Sequence, residues 1–138
     1  MLADAARLRQ MAHDLAAMAE ALTLSESVPP VMARLTARTE IRRVAVRHAI
    51  FGPSIDEASW MMLLDLYLAI AADRRVSISS LCLASRVPPT TALVRVRTMA
   101  HSGLIRRERD RRDARRHWAS LTPTSIEMLG RYFVAVSS

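Results

Sequence analysis

Residues 106–116 read Arg-Arg-Glu-Arg-Asp-Arg-Arg-Asp-Ala-Arg-Arg, seven arginines and three acids in eleven positions. A guanidinium is a rigid fork of donors that matches phosphate oxygens and the edge of guanine, so the run carries the chemistry for a polyanion. A bare basic run would be a floppy, solvated tail. This one lies between the apolar pair Leu104-Ile105 and a strand-like stretch from His117 to Leu121, which makes it the tip of a hairpin. Arg111, Arg112 and Arg115 are expected to reach a minor groove, where negative potential is enhanced. Asp110 and Asp113 would otherwise repel phosphate; their expected task is to clamp neighbouring arginines and support the tip. Arg106, Arg107 and Arg109 fall to backbone contacts or to solvent.

A second set of candidates lies just upstream. On a helix over 89–102, Ala92, Val96 and Met99 share one face and pack inward. Thr90, Val94, Arg97 and His101 share the opposite face, with Thr91 and Thr98 beside it. Threonine offers a hydroxyl to a base edge and a methyl to thymine, and Arg97 is the one residue there able to read guanine bidentately. Thr90, Thr91, Val94 and Arg97 are therefore expected to face DNA, the plainer alternative being a solvated surface. Arg95 falls on a semi-buried flank, where it either snorkels or meets an acid of the preceding long helix.

Catalysis finds little support. His13, His48, His101 and His117 lie on separate elements without ligand spacing, and Cys82 has no histidine within a helical turn, so it reads as a small buried hydrophobe. Three glycines leave no phosphate-cradling loop. No enzyme activity, cofactor or metal is expected.

These side chains need elements to hold them. Residues 2–23 form a helix whose Leu8, Met11, Leu15, Met18 and Leu22 alternate at 3 and 4 spacings, a heptad seam that requires a partner. Ser25-Glu26-Ser27-Val28-Pro29-Pro30 breaks it. A second helix over 31–50 sets Leu35, Ile41, Val44 and Ala45 against Arg34, Arg38 and Arg42, a solvated face or one that touches phosphate. Ser54 caps a third helix over 56–73, with Glu57 closing a capping box. That helix is apolar nearly all round and belongs in the core. Val76 offers a one-residue strand to the later hairpin. A short helix over 77–85, a turn at Arg86-Val87-Pro88 and a helix opened by Pro89 and ended by Gly103 make a helix-turn-helix. Strands over 104–109 and 115–121 flank the arginine tip, and Thr122-Pro123 opens a last helix.

The 138 residues suffice for an ordinary core, half of them are apolar, and no stretch approaches the length of a membrane span. The first residues lack the order of a secretory signal, and one cysteine allows no internal disulfide, so a soluble cytoplasmic protein is expected. Net charge is +7. It sums to −2 over 1–28, +4 over 29–50, −4 over 51–73 and +9 over 74–138, so the positive charge gathers at the hairpin. All 20 cations are arginine, which suits DNA, but a GC-rich genome would give the same bias.

Residues 56–123 resemble the MarR-type winged-helix transcription regulators. Asp113-x-Arg115 with Leu121-Thr122 downstream is similar to that family's wing signature, Asp110 stands at its upstream place, and Gly103-Leu104-Ile105 is similar to its exit from the recognition helix. The resemblance implies a mainly α fold with a small β-hairpin wing, a winged helix-turn-helix extended by N-terminal dimerisation helices. It implies Arg115 as the wing-tip arginine in the minor groove and Thr90, Thr91, Val94 and Arg97 as recognition-helix positions. Two departures stand out. Pro88-Pro89 replaces small polar residues, and fifteen residues after Leu-Thr-Pro are few for paired C-terminal dimerisation helices. Pairing then falls on the N-terminal seam of Leu8, Met11, Leu15, Met18 and Leu22, and no small-molecule effector is implied. The organisation expected is a dimerisation region over 1–50, a DNA-binding domain over 51–123 and a C-terminal helix over 124–138. The function expected is a bacterial, homodimeric regulator specific for double-stranded DNA; the rivals are a winged-helix protein-interaction module and an RNA-binding winged helix, against which the few aromatics available for base stacking argue.

Overall fold

The computed structural model describes residues 2–24 and 28–138. The elements run α1 (Leu2–Leu24), α2 (Pro30–Phe51), α3 (Glu57–Ala71), β1 (Val76–Ser77), α4 (Ile78–Ala84), α5 (Pro89–His101), β2 (Ile105–Arg109), β3 (His117–Leu121) and α6 (Pro123–Ser137). Of the expected breaker over 25–30, residues 25–27 lie outside the described residues; Pro30 occupies the first turn of α2, where its missing N–H is spare.

The core gathers around α3. Met62 and Leu63 are fully buried, as are Leu81 of α4, Ala92 and Val96 of α5 and Leu129 of α6. Trp60 meets Phe51 and Tyr132 edge to face, with ring centroids 5.5 and 4.7 Å away. One face of α3 is nevertheless open, for Leu68 and Ile70 are exposed. The end of α3 borders a cleft shared with β1, β3 and the start of α6, so its outer face has no layer to cover it.

The capping of α3 differs from expectation. Ser54 lies in the turn, and Asp56 is the N-cap, its carboxylate accepting the Ser59 amide at 2.9 Å. Ile55 decides this. Its burial just before the cap, with Trp60 buried five positions on, is the arrangement of a hydrophobic staple, which draws the cap to Asp56. Asp73, in the left-handed region at φ 50°, ends the helix: the amides of Asp73 and Arg74 return to the carbonyls of Ile70 and Ala69.

The sheet has the order β1-β3-β2, all antiparallel. Val76 pairs with Ala119, the edge contribution expected of it, and Arg107 pairs with Ala119 from the other side. Strand β3 begins at His117, two residues later than expected, because Asp113 and Arg116 close a turn that takes up Arg115.

Long-range ties join the helical layers. Arg42 donates to the carbonyls of Ala135 at 2.8 Å and Ser138 at 3.2 Å, closing the end of α6 instead of offering itself to phosphate. Arg34 and Arg38 remain exposed. Arg7 of α1 is buried and pairs with Asp65 of α3 and the Ser80 hydroxyl of α4, while Arg74 reaches Asp65 at 3.5 Å. Burial, then the charge of Arg74, push the Arg7 guanidinium down to about 10 against the opposing pull of Asp4. It stays charged at neutral pH.

Candidate nucleic-acid interface

Helices α4 and α5 with the turn between them form the helix-turn-helix. Ser77 caps α4, accepting the Ser80 amide at 3.1 Å. In the turn, Arg86 adopts a left-handed φ of 61°, and its guanidinium bonds Asp14 of α1 at 3.3 Å. Pro88 then holds an extended backbone as N-cap, and Pro89 opens α5 with no side-chain cap. The far end closes on Gly103 at φ 79°, with the Leu104 amide returning to Met99 and that of Gly103 to Ala100.

Between those ends α5 divides its faces as expected. Ala92, Val96 and Met99 are buried, while Thr90, Thr91, Val94 and Arg97 are all exposed. Arg97 makes no ion pair among the described residues, which leaves its fork free for a ligand. Thr98 spends its hydroxyl on the carbonyl of Val94 at 3.0 Å. Arg95 pairs through Nε with Asp56, the second of the two outcomes its flank allowed.

Asp56 therefore has two tasks, capping α3 and seating α5. Burial alone would raise its carboxyl; the Ser59 hydroxyl and amide, then Arg95, outweigh that and hold it below the usual range. A depressed carboxyl stabilises the fold above its unfolded value of about 3.9 and loses that contribution as pH falls through the folded value. Asp56→Ala should cost about 1 kcal/mol, the usual loss of an N-cap. Asp56→Asn, which keeps the cap, should weaken the stability loss on acidification in urea titrations between pH 5 and pH 2; an unaltered acid limb would separate Asp56 from it.

The wing is a formed turn. The Asp110 carboxylate accepts the amides of Arg112 at 2.7 Å and Asp113 at 3.3 Å, and the Asp113 carboxylate accepts the Arg115 amide at 3.0 Å. The aspartates support the tip, as expected, but chiefly through backbone N–H groups. Among the described residues the one guanidinium paired with these aspartates is that of Arg115, 3.5 Å from Asp113 through Nε, while Arg109 Nε donates to the Ala114 carbonyl at 3.2 Å. The Arg112 amide first, with the Asp113 amide and the charges of Arg116 and Arg75, holds the Asp110 carboxyl below its usual range despite a smaller burial penalty. Arg111, Arg112 and Arg115 stand exposed around this turn, the Arg115 side chain 94% so. The Ser125 hydroxyl fixes the root of the wing by donating to the Leu104 carbonyl at 2.6 Å, and Thr122 does the same to Gly103 at 2.7 Å.

Sequence reasoning missed Trp118. Its indole faces two guanidiniums, Arg75 at 4.2 Å and Arg116 at 5.4 Å from the ring centroid. A tryptophan two residues beyond an arginine run was the available signal. Cys82 is buried, and burial pushes its thiol up against a smaller opposing effect of Arg107.

Along α1, Leu8, Leu15, Met18 and Leu22 are exposed and Met11 is half-buried. On α2, Val31, Met32, Leu35, Ile41 and Val44 are exposed as well.

A central helix, a helix-turn-helix and a hairpin backed by a short third strand define a winged helix-turn-helix. The chain is similar in structure to S. aureus MepR in complex with DNA, with a TM-score of 0.62 at 18% identity over 78% of this chain and 83% of that one. A mutant S. aureus MepR bound to an oligodeoxyribonucleotide gives 0.68 at 16% identity over 78% and 74%. A probable transcriptional regulator from Pseudomonas aeruginosa gives 0.53 at 21% identity over 76% of each. No family model and no curated protein sequence matches the chain. The fold implied by the resemblance in the sequence is the fold found.

Proposed function

We propose that the chain is a MarR-type transcription regulator, a bacterial cytoplasmic homodimer that binds double-stranded DNA in a sequence-specific manner and has no enzyme activity. The observation that carries this reading is the exposed, unengaged face of α5 beside a preformed arginine turn. Thr90, Thr91, Val94 and Arg97 enter the major groove, and Arg111, Arg112 and Arg115 lie along the adjacent minor groove. The similar MepR structures with bound DNA support the class of ligand. Residues 1–50 serve pairing, through Leu8, Met11, Leu15, Met18 and Leu22 with the exposed apolar residues of α2. Residues 51–123 serve DNA, and 124–138 close the core. Two recognition helices then fall in successive major grooves about 34 Å apart, and a near-palindromic site follows.

Selection of duplexes from a random pool, followed by titration across salt, tests the proposal. The expected result is a palindromic site whose affinity falls steeply with salt, because phosphate contacts release counterions. Absence of duplex binding at about 50 mM salt would overturn it in favour of a protein-interaction module. Arg97→Ala should cost about 1–3 kcal/mol on the selected site and flatten its base preference. Arg115→Ala should weaken all duplexes alike, by roughly tenfold, without unfolding the chain; unchanged affinity would remove the wing from the mechanism.

A further inference from the structure

We propose that the cleft between the wing and the starts of α1 and α4 is a binding site for a phosphate-type oxyanion. The cleft has a volume of about 250 Å³, and Arg75, Arg115, Arg116, Trp118 and Ser77 line it together with Asp4. Arg75 and Arg116 share one indole, at 4.2 and 5.4 Å, and neither pairs with a carboxylate among the described residues. Both charges act on Asp110 at a distance, but an aromatic face leaves the outward N–H donors of a guanidinium unspent. The indole Nε1–H of Trp118 is itself buried and without an acceptor. Buried donors in folded chains are nearly always paired, so this one marks the absence of an acceptor.

Guanidinium and hydroxyl donors thus meet in one cleft, walled by an indole whose own N–H lacks an acceptor. A tetrahedral oxyanion answers them best, since it presents several acceptor oxygens at once and accepts bidentately from arginine. The carboxylates nearby have been accounted for, with one exception. Asp113, which also lines the cleft, is held by the amide and Nε of Arg115, and Asp110 by the amides of Arg112 and Asp113. Asp4 makes no hydrogen bond there and opposes an anion.

Two sources present this chemistry: free phosphate and a phosphodiester of bound DNA. The cleft opens beside Arg115, and a minor groove is bounded by phosphates, so the second source deepens the DNA-binding reading and rests on it. The first does not. The chain has two tryptophans, hence two indole N–H signals, assigned with Trp118→Phe.

In the first arm the full chain is titrated with sodium phosphate against sodium chloride at equal ionic strength. The Trp118 indole signal should move downfield and saturate with phosphate alone. Arg75→Gln and Arg116→Gln, at exposed positions, should abolish the shift, Arg131→Gln on α6 should preserve it, and Asp4→Asn should tighten binding several-fold. In the second arm the same signal is followed with duplex. If a phosphodiester occupies the cleft, Arg75→Gln should lower duplex affinity three- to tenfold and reduce the salt slope by about one. A phosphate response with unchanged duplex affinity assigns the cleft to a free anion. A Trp118 signal unmoved in both arms overturns the proposal. Failure of the wild-type chain to bind any duplex would sink the DNA reading and leave the first arm decisive.

Discussion

Asp65→Asn should lower the stability of the chain by about 3 kcal/mol, the lower end of the cost of breaking a buried ion pair, and the thermal midpoint by roughly 10 °C. Among the described residues Asp65 is the carboxylate that pairs with both Arg7 and Arg74, and with its charge gone two guanidiniums confront each other in a largely buried pocket. Arg7 bears most of the penalty. It is only 5% exposed, and its Nε has no hydrogen-bond partner, nor has Nη1 of Arg74. The asymmetry gives a sharper test than the size. Arg7→Met removes the more buried charge and leaves Asp65 with Arg74 at 3.5 Å as its partner, so it should cost less than Asp65→Asn. Circular dichroism melts of both variants decide the matter: equal losses would mean that the network acts through packing alone. Arg7 also links α1, which we propose for pairing, to α3 and α4, the helices packed against α5.

Leu15→Glu combined with Leu22→Glu should convert a dimer into a monomer and reduce affinity for a palindromic duplex by 100-fold or more. Both residues are exposed in the single chain, at 60% and 76%, so the substitutions place charge on its surface and leave the core untouched. The large effect on DNA follows from linkage: the second half-site is bound at high effective concentration only while the two reading heads are joined, an advantage of roughly 10²–10⁴. Sedimentation reads the mass and fluorescence anisotropy the affinity. A monomer that still binds the full site at wild-type strength would show that pairing through α1 is irrelevant to DNA. A dimer that persists would move the interface to another surface.

Features set by neighbours in the chain were legible before any coordinates. Pro89 at the start of α5, Gly103 at its end, Thr122 before α6 and the hairpin around 106–116 all follow from backbone chemistry within a few residues. The inward and outward faces of α5 follow from its period. What stayed hidden depends on distant partners. Arg42 reads as one of a solvated row because its acceptors lie more than 90 positions away, in the last turn of α6. Arg7 looks like any polar residue beside the heptad seam, and only the docking of α1 against α3 and α4 buries it. Asp56 displaced Ser54 as a cap because Ile55 found the core, a tertiary effect that a capping pattern does not contain. At the candidate interface the residue types were readable and the support of the tip was half readable. The aspartates bind amides where the charge pattern suggested guanidiniums.

The paired prolines before α5, the helix proposed to read DNA, have a thermodynamic consequence. With Pro88 and Pro89 fixing the entry, and the carbonyls at the exit closed through Gly103, α5 arrives at a ligand already folded. Association then involves little ordering of protein backbone, so the heat-capacity change should match the surface buried and carry no coupled-folding component. Such a reader cannot reshape itself to a mismatched site. Discrimination should therefore appear as fast departure from wrong sequences, with little change in the rate of arrival.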